Sequence, residues 1–173
     1  MSRVVLSIGS NMGDRLGRLQ AVVDGLGDAV RAVSPVFETD AWGGVDQEAF
    51  LNAVVIAEDD AVDAHAWLRR AQQLENDNAR VRTQKWGPRT LDVDLVSCYE
   101  AGREVRCSQT ELTLPHPFAH QRAFVLVPWL AVDPAAALTV DGRSQSAQSL
   151  LDDLDAVERD GVRPTALALG GGD

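Results

Sequence analysis

The residues best suited to chemistry in this sequence are two aspartates, Asp92 and Asp94, separated by a single valine. They alternate with Leu91, Val93 and Leu95, which is the pattern of a half-buried β-strand. Side chains two positions apart on a strand point to the same face, so the two carboxylates project together. Mg²⁺ prefers one or two carboxylates combined with substrate phosphates. The pair therefore predicts a magnesium site, and the alternative is the solvent-facing side of an ordinary strand.

A run of basic residues immediately precedes this strand. The run contains four cationic residues, Arg80, Arg82, Lys85 and Arg89. It contains none of the 26 acidic residues of the chain. Arginine binds phosphate oxygens through a planar fork, and lysine acts as a point charge. Cations beside a metal-binding carboxylate pair are what a polyphosphate substrate requires, because they neutralise its charge together. The combination favours nucleotide chemistry over a plain strand face.

Composition limits the classes of protein to which the chain can belong. Its 173 residues, 45% of them hydrophobic, predict one globular domain. A net charge of −10 argues against non-specific binding to nucleic acid or acidic membranes. Two cysteines, Cys98 and Cys107, fit a reducing compartment. The longest apolar run, Ala123 to Val132, is interrupted by Pro128 and is too short to cross a bilayer. We expect a soluble cytoplasmic protein without a signal peptide.

The periodicity of apolar residues predicts the elements that must position these groups. Strands are expected at 3–9, 33–39, 50–57 and 91–99, and helices follow the first strand, from an N-cap at Asp14, and the third, at 61–76. This βαββαβ order is typical of a ferredoxin-like α+β sandwich, an antiparallel sheet with both helices on one face. We expect a single domain over 1–173, with a core at about 3–130 and a C-terminal extension at 131–173. In the extension a turn is expected at 139–142 and a short helix at 149–157.

Several other side chains could bind a ligand. Asparagine is depleted in strands, so the amide of Asn52 could read the edge of a heterocycle, or it could end a strand ladder. Phe50 and Phe124 could cover the faces of a flat bicyclic ring, although such residues more often belong to a core. Phe124 follows Arg122 by two, so on a strand they would share a face. His116 lies between two prolines and could pack, bind or transfer protons. No residue stands out as a general base.

The nine residues Trp86-Gly87-Pro88-Arg89-Thr90-Leu91-Asp92-Val93-Asp94 resemble the signature of the 6-hydroxymethyl-7,8-dihydropterin pyrophosphokinases. The resemblance extends from Gly9 to about Pro128. It includes the Ser10-Asn11 turn and the segments at 50–52, 80–82, 115–117 and 122–124. It implies that the chain moves pyrophosphate from ATP to a pterin in folate biosynthesis and releases AMP.

The resemblance also implies roles for individual residues. Asp92 and Asp94 would hold two Mg²⁺ ions, and Arg80, Arg82 and Arg89 would act on the transferring group. ATP would be bound by Gln72, Glu75, Arg82, Thr113, His116 and Arg122. The pterin would be bound by Thr39, Trp42, Phe50, Asn52 and Phe124. The expected partners are ATP and the pterin, with no nucleic acid and no membrane, and we expect a monomer.

Two positions depart from the family pattern. Ala79 stands where a glycine commonly precedes the Arg-x-Arg segment, and Asp40-Ala41 replaces a stretch that usually carries proline. Two other functions remain open at this point. One is a different Mg²⁺-dependent nucleotide transfer on the same scaffold. The other is a ferredoxin-like nucleic-acid-binding module, which would need a broad basic face that the acidic composition contradicts.

Overall fold

Strands and helices follow one another largely as the periodicity predicts. The computed structural model describes residues 2–40, 48–78 and 91–170. In the first two ranges the elements are β1 (Ser2–Ser10), α1 (Arg15–Leu26), β2 (Val30–Val33), β3 (Phe37–Thr39), β4 (Phe50–Asp59) and α2 (Ala64–Asp77). In the third range they are β5 (Asp92–Glu100), β6 (Arg103–Glu104), β7 (Cys107–Ser108), β8 (Thr113–Leu114), α3 (Ala123–Val132), β9 (Ala137–Val140), β10 (Arg143–Ser146), α4 (Ala147–Asp152), α5 (Ala156–Asp160) and β11 (Val162–Pro164).

One antiparallel sheet organises the described residues. Its strand order is β11-β3-β4-β1-β5-β6, and β2 also pairs with β4. β1 lies at the centre and pairs along its length with both β4 and β5. The register places Gly9 opposite Asn52 on one side and opposite Asp92 on the other. The candidate binding residues of two different strands are therefore separated by a single strand.

The first two helices pack on the same face of the sheet. The Asp14 carboxylate accepts a hydrogen bond from the Gly17 N–H and so caps α1. The buried stripe of α1, together with Trp67 and Ala71 of α2, packs against the inward side chains of the three central strands. α2 begins three residues later than expected, because Asp63 caps it by accepting the Ala66 N–H at 2.8 Å.

The opposite face is covered by α3 and α4. Val54 and Ile56 of β4 pack there with Leu126 and Trp129 of α3 in a second apolar cluster. The apolar segment at 123–132 is thus a helix, with Pro128 inside it, and the strand geometry considered for Arg122 and Phe124 is wrong. An apolar segment of this length carries no decisive period, because it has apolar residues on every side of the helix.

Two further predictions of single elements are corrected. The strand expected at 33–39 is split into β2 and β3, because Ser34 turns toward β4, where its hydroxyl accepts the Val54 N–H at 2.8 Å. The helix expected at 149–157 is two short helices, α4 and α5. The turn predicted near Gly142 is confirmed as the connection between β9 and β10.

The C-terminal part of the chain returns to the sheet. β11 pairs with β3, and Val162 lies opposite Thr39. The boundary expected at residue 131 falls within α3. Among the described residues, no helix is long and apolar enough to cross a bilayer.

Candidate active site

β5 carries the two aspartates on one face, as the alternation predicts. Both are half-buried, while Val93 between them is directed into the core. Their partners on β1 are small, since Gly9 lies opposite Asp92 and Ser7 opposite Asp94. Neither neighbour carries a large side chain on the face from which the carboxylates project.

Glu75 holds the outer edge of β5 between the two aspartates. This residue of α2 is only 8% exposed, and its Oε2 accepts the Val93 N–H at 2.9 Å. β6 pairs with β5 only at Tyr99 and Glu100, so the strand edge near Val93 is bound by this side chain instead. A carboxylate that accepts a backbone N–H fixes the strand from which the aspartates project.

The predicted pterin residues Thr39, Phe50 and Asn52 lie together on β3 and β4. Asn52 is 4% exposed, and its Oδ1 accepts the Thr39 hydroxyl at 2.8 Å. A methyl group on Gly9 would lie 2.9 Å from the Asn52 Nδ2 and 3.6 Å from the Phe50 ring. Glycine therefore allows the amide to lie over β1. With strands spaced by about 4.8 Å, Asn52 and Asp92 are about 10 Å apart across the sheet.

A segment running from His116 to Phe124 adds aromatic and cationic groups. The His116 N–H donates to the Val96 carbonyl, two residues beyond Asp94 on β5. The Arg122 guanidinium lies 5.7 Å from the centre of the Phe118 ring and 5.5 Å from that of Phe124. These are cation–π distances, so Arg122 is held between the two rings. The segment thereby joins a predicted phosphate ligand to a predicted pterin ligand.

His116 is held in its neutral form. Burial, with a smaller contribution from the nearby Arg122 cation, lowers its pKa to about 4. Its Nδ1 accepts the Phe118 N–H at 3.1 Å, so the proton of the neutral ring lies on Nε2. The imidazole can donate a hydrogen bond through Nε2, and it is not a cation near neutral pH.

The remaining predicted residues fall into two groups. Gln72 is exposed on α2, and Thr113 is exposed on β8 with its hydroxyl on the Gln109 carbonyl at 3.2 Å. Trp42, Arg80, Arg82 and Arg89 lie outside the described residues.

Arg15 is a residue to which sequence reasoning gave no role. Its guanidinium donates to the Ala49 carbonyl at 2.9 Å and pairs with Glu48 at 3.3 Å and Glu38 at 3.8 Å. It therefore links the strand that carries Thr39 to the start of the strand that carries Asn52. The only signal in the sequence was that Arg15 ends the segment at 8–15, which resembles the N-terminal motif of the pyrophosphokinase family.

The chemistry of the donors fits Mg²⁺. In the described ranges, no three His, Cys, Asp or Glu side chains are grouped so that they could hold a metal ion by themselves. Two half-exposed carboxylates on a rigid strand suit a metal that takes its remaining ligands from phosphates and water. Cys98 offers no thiolate ligand, because burial raises its pKa to about 12.

Sequence comparison relates the chain to proteins of known family. The profile of the family described as 7,8-dihydro-6-hydroxymethylpterin-pyrophosphokinase (HPPK) matches residues 5–134. A protein of Mycobacterium tuberculosis named 2-amino-4-hydroxy-6-hydroxymethyldihydropteridine pyrophosphokinase is 58% identical over 94% of this chain and 89% of its own length. The protein of the same name from Mycobacterium leprae is 61% identical over 98% of this chain and 92% of its own.

Structural similarity supports the fold at lower sequence identity. A crystal structure of Plasmodium falciparum HPPK-DHPS superimposes with a TM-score of 0.60 at 11% identity. The match covers 86% of this chain and 44% of that longer chain. The profile match and the identity to the mycobacterial proteins are far stronger, and they show that this chain belongs to the HPPK family.

Proposed function

We infer that the chain transfers pyrophosphate from ATP to 6-hydroxymethyl-7,8-dihydropterin, a step of folate biosynthesis. Family membership supports the reaction. The structural observation behind the proposed site is that Asp92, Gly9 and Asn52 lie side by side on three adjacent strands. A carboxylate suited to binding a metal is therefore about 10 Å from an amide suited to binding the edge of a heterocycle. That span suits a flat bicyclic ring whose hydroxymethyl group points toward metal-bound phosphates.

The reaction exchanges one oxygen–phosphorus bond for another. The hydroxymethyl oxygen of the pterin attacks the β-phosphorus of ATP, and the bond from that phosphorus to the α,β-bridging oxygen breaks. The bridging oxygen leaves with the bonding electron pair as part of AMP, and the hydroxyl proton is released. In such transfers catalysis comes mainly from alignment and charge neutralisation.

Two Mg²⁺ ions held by Asp92 and Asp94 would neutralise the phosphate oxygens and orient the triphosphate. Glu75 keeps β5, and with it both carboxylates, in place through the Val93 N–H. We assign Arg80, Arg82 and Arg89 to the transferring phosphates. This assignment rests on their charge and on the resemblance, because they lie outside the described residues.

The ATP site is assigned to both sides of β5. Gln72 and Glu75 approach from α2, Thr113 from β8, and His116 and Arg122 from the segment that follows β8. The Nε2–H of His116 would donate to a phosphate oxygen, and this role needs no proton transfer. Because His116 is neutral with a low pKa, it is a poor general base for the hydroxymethyl group.

The pterin site is assigned to Thr39, Asn52, Phe50 and Phe124, together with Trp42, which lies outside the described residues. The Asn52 Nδ2 would donate to the ring edge, while Thr39 holds the amide oxygen. Phe50 and Phe124 would cover the ring faces, each stacking contact contributing about 0.5–1.5 kcal/mol beyond burial.

The observed strand order, β5-β1-β4 followed by β2 and β3, supports the ferredoxin-like arrangement with α1 and α2 on one face. We further propose that the chain is one domain that acts as a cytoplasmic monomer on ATP and the pterin, without nucleic acid or membrane.

Product analysis tests the reaction. The protein is incubated with MgATP and the hydroxymethyl dihydropterin, and nucleotides are separated by chromatography. We expect AMP to form only when the pterin is present and in amounts equal to the pterin diphosphate. Pterin-dependent ADP would instead identify a monophosphate transfer and would refute the proposal.

A further inference from the structure

We propose that Glu158 is a positioning residue for the pterin pocket and acts through the first turn of α3. It lies in the C-terminal segment beyond residues 5–134, the part matched to the family. The inference rests on the pterin site proposed above, because Phe124 is the side chain that Glu158 would position.

The contact is specific and joins distant parts of the chain. Glu158 Oε1 accepts the Ala123 N–H at 3.1 Å, across 35 residues of sequence. Ala123 is completely buried and stands between Arg122 and Phe124. The Arg122 side chain makes no capping hydrogen bond to the helix, so the Glu158 carboxylate takes the place of an N-cap. An anion at this end also interacts favourably with the helix dipole.

Glu158 is itself held in place by the segments that precede and follow it in the sequence. The Asp155 carboxylate caps α5 by accepting the Glu158 N–H at 2.9 Å. β11 follows directly and pairs with β3, the strand of Thr39. Arg163 in β11 contacts Glu38 at 3.1 Å and Asp40 at 2.9 Å. One segment therefore fixes the start of α3 and the strand that carries Thr39.

Displacement of the α3 start would move the two side chains that flank Ala123. Arg122 packs between Phe118 and Phe124, so these groups move together. This displacement should weaken pterin binding, because a stacking contact depends on the position of the Phe124 ring. Glutamine at position 158 keeps an oxygen acceptor of the same reach, whereas aspartate keeps the charge but is one methylene too short.

A double-mutant cycle tests the inference, with pterin affinity measured by calorimetric titration in the full-length chain. We expect Glu158→Ala and Glu158→Asp to weaken pterin binding roughly two- to tenfold, and Glu158→Gln to restore most of it. Val157→Ala is the control, because Val157 belongs to the same helix and is 85% exposed. It should bind pterin normally.

The decisive arm is the Phe124→Ala background, where Glu158→Ala should cause no further loss of pterin affinity. Additive losses, or full affinity in both Glu158→Ala and Glu158→Asp, would overturn the positioning role. A Phe124→Ala chain that binds pterin normally would instead show that the pterin site is misplaced. Melting curves of the same variants exclude an effect of unfolding.

Discussion

Small neighbours and fixed hydrogen bonds decide what the individual site residues can do. Gly9 leaves room for the Asn52 amide, and Glu75 fixes the backbone between the aspartates. The alternation around Asp92 and Asp94 was readable in sequence, since it depends only on neighbours along one strand. The roles of Gly9 and Glu75 depend on contacts with residues distant in sequence, Asn52 and Val93, which no local pattern contains.

The carboxylate pair gives the first residue-scale prediction. Asp94→Ala should lower turnover by roughly 10²–10⁴-fold, because a misplaced Mg²⁺ forfeits several kcal/mol of charge stabilisation. Folding should survive, since removing one of two neighbouring carboxylates relieves repulsion in the metal-free protein. Glu58→Gln is the matched control, because it removes a carboxylate from β4 that pairs with Arg3 and Arg31. A folded Asp94→Ala enzyme with normal turnover would disprove the metal assignment.

The second residue-scale prediction concerns the protonation of His116. Its imidazole should titrate with a midpoint near pH 4. Since this pKa is below the unfolded value of about 6.5, the His116 contribution to stability is complete above pH 6.5 and is lost as the pH falls toward 4. NMR titration of the imidazole Cε1–H, assigned with a His116→Asn variant, measures the midpoint. A midpoint near 6.5 would mean that burial does not hold the ring neutral.

At the scale of elements, predictability follows the range of the interactions that define each element. β1 and β4 were predicted within a few residues because they are short runs of mostly apolar residues, and α1 and β5 because they carry a period of 3.6 and of two, respectively. α3 was not predicted as a helix, because its segment is apolar on all sides. The split of β2 and β3 depends on the contact of Ser34 with Val54, 20 residues away.

Arg15 gives the element-scale prediction. Arg15→Ala should weaken pterin binding roughly three- to tenfold, because it releases Ala49 and Glu48 from α1 while leaving the carboxylate strand intact. Binding of an ATP analogue should change little. Arg31→Ala serves as the control, since it also loses a carboxylate pair, at 3.5 Å, on β2. Equal losses for both ligands in Arg15→Ala would contradict a local effect on the pterin side.

At the scale of the whole molecule, the acidic chain brings the proposed metal and pterin residues to one end of the sheet. The formal charge of −10 makes the basic run at 80–89 exceptional, and this contrast was the strongest global signal in the sequence. The C-terminal segment could not be given a role from sequence, because its contacts with β3 and α3 join distant parts of the chain.

Metal removal gives the whole-molecule prediction. A chelator should abolish transfer without changing the melting temperature, because the proposed site would use two carboxylates and would complete its metal shell with the nucleotide. Added Mg²⁺ should restore activity fully. A large fall in melting temperature on chelation would indicate a structural metal, which this account does not contain.

The proposed placement of the metals and the pterin is tested by a crystal structure with Mg²⁺, the pterin and an ATP analogue whose α,β-bridging oxygen is replaced by a methylene group. We predict metal ions bound to Asp92 and Asp94, the Asn52 amide on the pterin edge, and the hydroxymethyl oxygen facing the β-phosphorus. Metal ions bound away from both aspartates, or a pterin remote from Asn52, would refute this placement.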